Sequence, residues 1–269
     1  MDDKVLVAEN LDLLLSATFS INDVSLQFKK GEIVSIVGAN GSGKSTVLRL
    51  LTKLIMPASG CVYLDGKRID EMTQKAIAQK LTMLPQVHDH NLDLTVYDLV
   101  KHGRNPFRKW YEVVGAEDKE IIEFAISATN LRHLRYRPLQ SLSGGERQRA
   151  WIAMSLAQTP DVLLLDEPTT YLDISHQLEV MELVKRLNDE NGITIVMVLH
   201  DLNQAARYSH RLIAMKDGKV VCQGPPYEVF SPHFFKEVFG IDVNIYHDED
   251  VPFFIPRQTC IIKQIVSTA

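Results

Sequence analysis

The chain has 269 residues, 45% hydrophobic and 23% charged, with 29 Lys and Arg against 34 Asp and Glu for a net charge of −5. That length fills one large or two modest domains with an ample core, and the composition excludes disordered and fibrous chains. The slight acidity argues against broad nucleic-acid binding, so nucleic acid is not an expected partner, and no apolar run approaches the ~18 residues of a membrane span.

At the N-terminus Asp2, Asp3 and Glu9 interrupt the apolar residues, so neither a signal peptide nor a lipidation motif is expected. Residues 22 to 32 look strand-like and end in a Gly31-Glu32 turn. Ile33-Val34-Ser35-Ile36-Val37 then reads as a strand buried on both faces, because it scarcely alternates. Val47-Leu48-Arg49-Leu50-Leu51 is helical, and Val62-Tyr63-Leu64 is strand-like before an Asp65-Gly66 turn. Between about Val87 and Leu142 the strand-like runs disappear. Helical stretches replace them around Val96–His102 and Glu117–Asn130, the latter with Glu117, Asp118 and Glu120 in its first turn. This region reads as a helical subdomain inserted into an α/β core.

Two more buried strands follow, Val162-Leu163-Leu164-Leu165 and Ile195-Val196-Met197-Val198-Leu199. Arg211–Met215 and Lys219–Cys222 flank Lys216-Asp217-Gly218, a hairpin signal that predicts two antiparallel strands after the parallel sheet. The tail from about Ser231 carries Pro232, Pro252 and Pro256 and gives no pattern. Cys61, Cys222 and Cys260 are odd in number and form no CxxC pair, which fits a reduced cytosol.

Three segments carry chemistry. Gly38-Ala39-Asn40-Gly41-Ser42-Gly43-Lys44-Ser45-Thr46 matches G-x-x-x-x-G-K-[ST] between a strand and a helix. Glycines let successive N–H groups curl around phosphate oxygens, and the helix N-terminus behind them adds a positive dipole. Lys44 can then reach the β- and γ-phosphates, while the Ser45 hydroxyl ligates Mg²⁺. The segment binds a nucleoside triphosphate. The strand Val162–Leu165 ends in Asp166-Glu167, and ligands bind at the carboxyl ends of strands in open α/β sheets. Asp166 suits the outer Mg²⁺ shell, and Glu167 suits polarising the attacking water. Leu142-Ser143-Gly144-Gly145-Glu146-Arg147-Gln148-Arg149 opens a helix and forms a second anion-binding terminus. One phosphate loop already supplies a full cradle, so the second suggests a nucleotide held by another copy.

With His200 directly after the Ile195–Leu199 strand, these segments stand in the order and spacing of an ATP-binding-cassette ATPase, and the chain resembles that family from about residue 5 to 240. The resemblance implies an α/β P-loop NTPase with a RecA-like, mainly parallel core, antiparallel β additions and an inserted α-helical subdomain. Residues 1–86 and 150–240 would form the core, 87–149 the helical signature subdomain and 241–269 a C-terminal tail. It implies two copies sandwiching two Mg·ATP, with Ser143, Gly144, Gly145 and Glu146 serving the partner's nucleotide. Ser143 and Gly145 would contact the γ-phosphate. Gln86 matches the glutamine that touches Mg²⁺ and leads into the helical subdomain. Asp173 matches the aspartate that crosses the dimer interface, although alone it reads as the N-cap of a helix beginning near Ile174. His200 matches the histidine that bonds the γ-phosphate. His88-Asp89-His90 and His247-Asp248-Glu249-Asp250 read as solvated loops rather than metal sites.

One position departs from the family. The aromatic residue that usually stacks on adenine is replaced by Leu15, with Phe19 the nearest aromatic, so only a moderate preference for ATP over GTP is expected. A single cassette without membrane spans implies a separate permease, and hence a place at the cytoplasmic face of the membrane. Asp166–Gln177, Val198–Ala205 and Gly103-Arg104-Asn105-Pro106 look most like ATPase subunits of iron–siderophore importers, with haem and cobalamin importers similar. Such systems also use an extracytoplasmic binding protein. The other classes considered are a soluble, non-transport cassette ATPase and a nucleotide-regulated binding module. The first usually shows paired cassettes, long coiled coils or basic arms; the second would suit a chain lacking Glu167 or His200.

Overall fold

The structure is a computed structural model that describes residues 3–16, 19–86, 92–109, 112 and 114–259. In chain order it contains β1 (Lys4–Ser16), β2 (Phe19–Lys29), β3 (Ile33–Val37), α1 (Lys44–Leu51), β4 (Ser59–Leu64), β5 (Lys67–Arg68), α2 (Gln74–Ala78) and β6 (Leu81–Leu84). Helices α3 (Val96–His102), α4 (Ala116–Ala128) and α5 (Gly144–Ala157) follow without an intervening strand. Then come β7 (Val162–Asp166), α6 (Ile174–Asn191), β8 (Thr194–Val198), α7 (Leu202–Tyr208), β9 (Arg211–Lys216), β10 (Lys219–Gly224), α8 (Pro226–Val229), β11 (Ile241–Asp248) and β12 (Val251–Thr259).

The central sheet has six strands in the order β10-β9-β3-β8-β7-β6. β3, β6, β7, β8 and β9 run parallel, and every residue of β3, β7 and β8 is buried. Their side chains alternate between two apolar cores. Leu163, Leu165, Ile195 and Met197 face the helical side, whereas Val162, Leu164, Val196 and Val198 face the antiparallel sheet. Burial on both faces is why these strands carry no polar alternation, and each such side chain contributes roughly 1.5–3 kcal/mol.

The second sheet, β2-β1-β4-β5, is antiparallel and covers one face of the first. On the other face α3, α4 and α5 pack together in the second core. Arg104 fixes that packing. Its buried guanidinium donates 2.7 Å to Asp118 Oδ1 of α4 and 2.9 Å to Ala157 O at the end of α5, and lies 4.0 Å over the Phe107 ring. The Gly-Arg-Asn-Pro segment noted in the sequence is thus a structural clasp.

The structure qualifies one expectation and adds two elements that the sequence pattern did not show. The Asp217-Gly218 hairpin forms as expected, with β10 antiparallel to β9 and both turn residues at positive φ, but β9 is itself a parallel strand of the central sheet beside β3 rather than lying after it. The N-terminal strand β1 was not legible as a strand, because its apolar residues follow a register broken by several bulges. The tail is also more structured than its prolines suggested. β11 and β12 form a separate hairpin, in which Pro252 and Pro256 are tolerated because a two-stranded ribbon has free edges. Phe254 of β12 packs 4.4 Å, ring centroid to centroid, from Phe235. His247–Asp250 form the exposed tip of that hairpin, as the solvated reading expected. His88-Asp89-His90 lie outside the described residues.

Candidate functional site

The parallel register aligns three strand ends at one edge. Ile36 of β3 pairs with Val198 of β8, and Val198 pairs with Asp166 of β7. Glu167 N then donates to Val198 O at 3.1 Å, and Leu199 N to Ile36 O at 3.3 Å. The loop after β3, the carboxylates after β7 and His200 after β8 therefore converge, although they are far apart in sequence. Gln86, just past β6, joins them because Leu84 pairs with Leu165.

The first loop is built to expose backbone. Gly38 has φ 151°, and a Cβ there would come within 2.2 Å of Met215 O and 2.8 Å of Ser42 Oγ. Gly43, the left-handed N-cap of α1 at φ 102°, lies against Ile21 and Phe19, with 2.6 Å and 3.1 Å to a hypothetical Cβ. Lys44 folds back over the loop and donates to Gly38 O at 2.9 Å and Ala39 O at 3.0 Å. Burial pulls its pKa down, while the charges of Glu167 and Asp166 oppose that shift. Ser42 Oγ is buried with no hydrogen-bond partner among the described residues. An orphaned hydroxyl and a desolvated ammonium beside the N-terminus of α1 suit a polyanion.

Ser45 Oγ donates to Asp166 Oδ1 at 2.9 Å. Burial pushes the Asp166 carboxyl up; the Glu167 charge acts the same way and the Ser45 bond opposes it. No three His, Cys, Asp or Glu side chains converge as a metal cage among the described residues. A hydroxyl and a carboxylate side by side are instead the hard-oxygen donors that suit Mg²⁺ held partly by phosphate oxygens.

Glu167 sits at φ 53°, a left-handed conformation that turns its carboxylate away from the strand. Both oxygens are engaged. Oε1 lies 2.5 Å from His200 Nε2, and Oε2 accepts from Gln86 Nε2 at 2.5 Å and Thr170 Oγ1 at 3.0 Å. Thr170 was not singled out from the sequence; its position three residues after Glu167, in a turn closed by Thr170 N and Glu167 O at 3.2 Å, is the available signal.

These groups open on a cavity of about 760 Å³ lined by residues that include Asn40, Gly41, Lys44, Ser45, Thr46, Gln86, Glu167 and His200. Leu15, Phe19 and Tyr171 form its apolar part, so both candidates for contact with a base border the cavity.

Ser143–Glu146 are not among its lining residues. Ser143 is the exposed N-cap of α5, in a closed capping box: Glu146 N donates to Ser143 Oγ at 3.2 Å, and Ser143 N donates to Glu146 Oε2 at 2.8 Å. The Ser143 N–H bond holds the Glu146 carboxyl below its usual range. Gly145 is buried against His176, whose ring carbon would lie 2.2 Å from a Cβ. Asp173 is the N-cap of α6 and accepts from His176 N at 2.9 Å, with His176 Nδ1 at 2.8 Å from the same oxygen.

Beside this phosphate cradle, hydroxyl–carboxylate pair and bonded Glu–His pair stand the comparisons with known proteins. The model of the ABC transporter family matches residues 21–170, more than half of the chain. The chain belongs to the ABC transporter family. As an ABC transporter ATP-binding protein it is an ATPase, and this family's domain binds nucleotide. The chain is 55% identical over 243 residues to the petrobactin import ATP-binding protein FpuC of Bacillus anthracis, covering 90% of this chain and 89% of that one. An inward-facing metal-chelate type ABC transporter superposes with a TM-score of 0.84 at 26% identity, over 95% of this chain and 98% of that one. The dimeric ABC transporter cassette MJ0796 superposes with a TM-score of 0.69 at 31% identity, over 82% and 98%. No helix among the described residues of this ABC ATPase is long and apolar enough to cross a membrane.

Proposed function

We propose that this ABC ATPase powers uptake of a ferric-siderophore-type chelate through a separate polytopic permease, at the cytoplasmic face of the membrane, in a system with an extracytoplasmic binding protein. Identity of 55% to a petrobactin import subunit, over nearly the whole of both chains, is the observation that carries the cargo class. The likeness to a metal-chelate type transporter supports it. Residues 87–149, as the helical signature subdomain of the core 1–86 and 150–240, would receive a cytoplasmic segment of the permease, coupled through Gln86. The tail is residues 241–269.

Two copies close on two Mg·ATP. The placement of Ser143–Glu146 away from their own chain's cavity supports their service to the partner's γ-phosphate, and the dimeric relative supports the assembly. Asp173 is linked to this segment through His176, which bonds Asp173 and packs on Gly145. The backbone N–H groups of residues 38–46, with Lys44, Ser45 and Thr46, cradle the phosphates. Ser45, Asp166 and Gln86 would hold Mg²⁺, which neutralises charge on the β- and γ-oxygens when bound. Glu167 orients a water toward the γ-phosphorus and takes its proton as the new P–O bond forms and the bond to the β–γ bridging oxygen breaks. Lys44 and His200 stabilise the charge that develops on the phosphoryl oxygens. Loss of the γ-phosphate removes the contacts shared between protomers, and the dimer reopens.

The test is isolation of the native membrane complex followed by ATP-dependent uptake in vesicles, with ferric petrobactin, a ferric hydroxamate, haem and cobalamin as candidates. Uptake of a ferric siderophore alone is expected. Uptake of haem or cobalamin alone would replace the cargo assignment, and absence of any co-purifying membrane protein would favour a soluble cassette ATPase.

A further inference from the structure

Two of the segments most like siderophore importers, Asp166–Gln177 and Val198–Ala205, contain residues that do not line the cavity yet are bonded to one another. Gln204 Nε2 of α7 donates to Gln177 Oε1 of α6 at 2.8 Å, and Gln177 Nε2 donates to Leu172 O at 2.9 Å. The polarity of this chain is fixed. A carbonyl can only accept, so Gln177 must turn its NH₂ toward Leu172 and its oxygen toward Gln204, which must then present its own NH₂. Gln204 Oε1 is left buried without a partner, so the orientation is imposed from the Leu172 side.

Each end of the relay reaches a part of the catalytic machinery. Gln204 lies on α7, whose N-cap Asp201 adjoins His200. Leu172 ends the loop that carries Thr170 and Glu167, and Leu172 Cδ2 would lie 3.3 Å from a Cβ on Gly144. His176, next to Gln177, packs on Gly145. The far side of α7 is clamped by the tail hairpin: Phe254 N donates to Asn203 Oδ1 at 3.0 Å, and Asn203 Nδ2 donates to Phe254 O at 3.4 Å. The helix that starts after His200, the loop after Glu167 and the start of α5 are therefore joined within one protomer.

We propose that Gln177 and Gln204 are positioning residues that make α7, the loop 168–173 and the start of α5 shift as one body. The position of His200 at a protomer's own γ-phosphate then sets the pose of Ser143–Gly145, which serves the partner's. This rests on the reading that those residues act across the dimer. It adds that the two sites are coupled through a side-chain relay inside each chain.

The experiment uses the full-length protein with Gln177→Met, Gln204→Met and the double variant, which conserve bulk and delete the polar link. Phosphate release is measured against ATP concentration, together with binding of ATP to the monomer and thermal melting. Wild type is expected to show a Hill coefficient above one. Each single variant should lose roughly tenfold in kcat and fall toward a Hill coefficient of one, with monomer affinity unchanged, and the double variant should lose no more than either single. Gln204→Glu is the second probe, for use also if the methionine variants do not fold. Its carboxylate accepts but cannot donate, so Gln177 must turn over and release Leu172 O, and the same kinetic loss is expected. Additive losses, or variants as active and cooperative as wild type, would overturn the relay alone. A wild type that turns over without cooperativity would overturn the relay together with the dimer reading.

Discussion

Nε2 of His200 lies 2.5 Å from Oε1 of Glu167, so the histidine two residues past β8 is bonded to the carboxylate directly after β7. Gln86 and Thr170 occupy the other oxygen, and the carboxylate is fixed from both sides. A carboxylate held this way is oriented by its neighbours, which suits the general-base role proposed for Glu167. Glu167→Gln keeps the shape and removes the base. Phosphate release should fall by about 10²–10⁴-fold, and Mg·ATP should now accumulate a stable dimer in size-exclusion chromatography. A variant that stays monomeric and hydrolyses normally would show that Glu167 has another role.

Asp166 illustrates a stability cost at a functional position. Its carboxyl is raised, chiefly by burial, so the fold disfavours the ionised form that its proposed role beside Mg²⁺ would need. That cost is present above its folded pKa and is relieved as pH falls through it. Asp166→Asn should therefore raise the melting temperature of nucleotide-free protein at neutral pH by about 2–4 °C, with the gain shrinking in acid, while turnover is lost.

Glu32 behaves in the opposite sense. Burial pushes its pKa up, but the hydrogen bond and charge of Arg211, at 2.7 Å, and the Lys29 N–H outweigh it and hold the carboxyl below its usual value. A depressed carboxylate stabilises the fold above its unfolded pKa and loses that contribution as pH falls through the folded one. Glu32→Gln should cost about 2 kcal/mol at pH ~7, read as a melting temperature lower by roughly 4–8 °C. The gap to wild type should close as the pH falls through the depressed pKa of Glu32.

Gly145→Ala tests the packing beneath Ser143. Its Cβ would lie 2.2 Å from His176 Cδ2 and 2.9 Å from His176 Cβ, too near the root of that side chain for a simple rotation to relieve. The start of α5 must shift, at about 1–3 kcal/mol of stability. Steady-state hydrolysis should fall at least tenfold, whereas ATP binding to the monomer, measured by calorimetry, should not change.

Phe19 is one of two aromatic residues bordering the cavity among the described residues, with Tyr171, and its ring edge is close to Gly43. Stacking of a base on such a ring is worth roughly 1–3 kcal/mol. Phe19→Ala should weaken ATP binding by about tenfold or more, and Leu15→Tyr should strengthen it. Equal turnover of GTP and ATP in the wild type would show that neither residue discriminates between bases.

The phosphate loop and the helix caps could be read directly from the chain, because their causes are local. Glycines at Gly38 and Gly43, the capping residues Ser143 and Asp173, and the unalternating strands each act through their own backbone or immediate neighbours. The hairpin at Asp217-Gly218 was legible for the same reason, but the direction of β9 was not, since a turn fixes only how two strands follow each other. Likewise β1 and the tail hairpin depend on partners far away in sequence, and their local patterns are obscured by bulges and prolines. The bonding of Glu167 to Gln86 and His200 required the parallel register to bring three strand ends to one edge. So did the link from Gln204 through Gln177 to Leu172 require α6 and α7 to pack side by side. Short-range geometry is written in neighbouring residues; contacts across the sheet exist only once burial of both its faces has chosen the strand order.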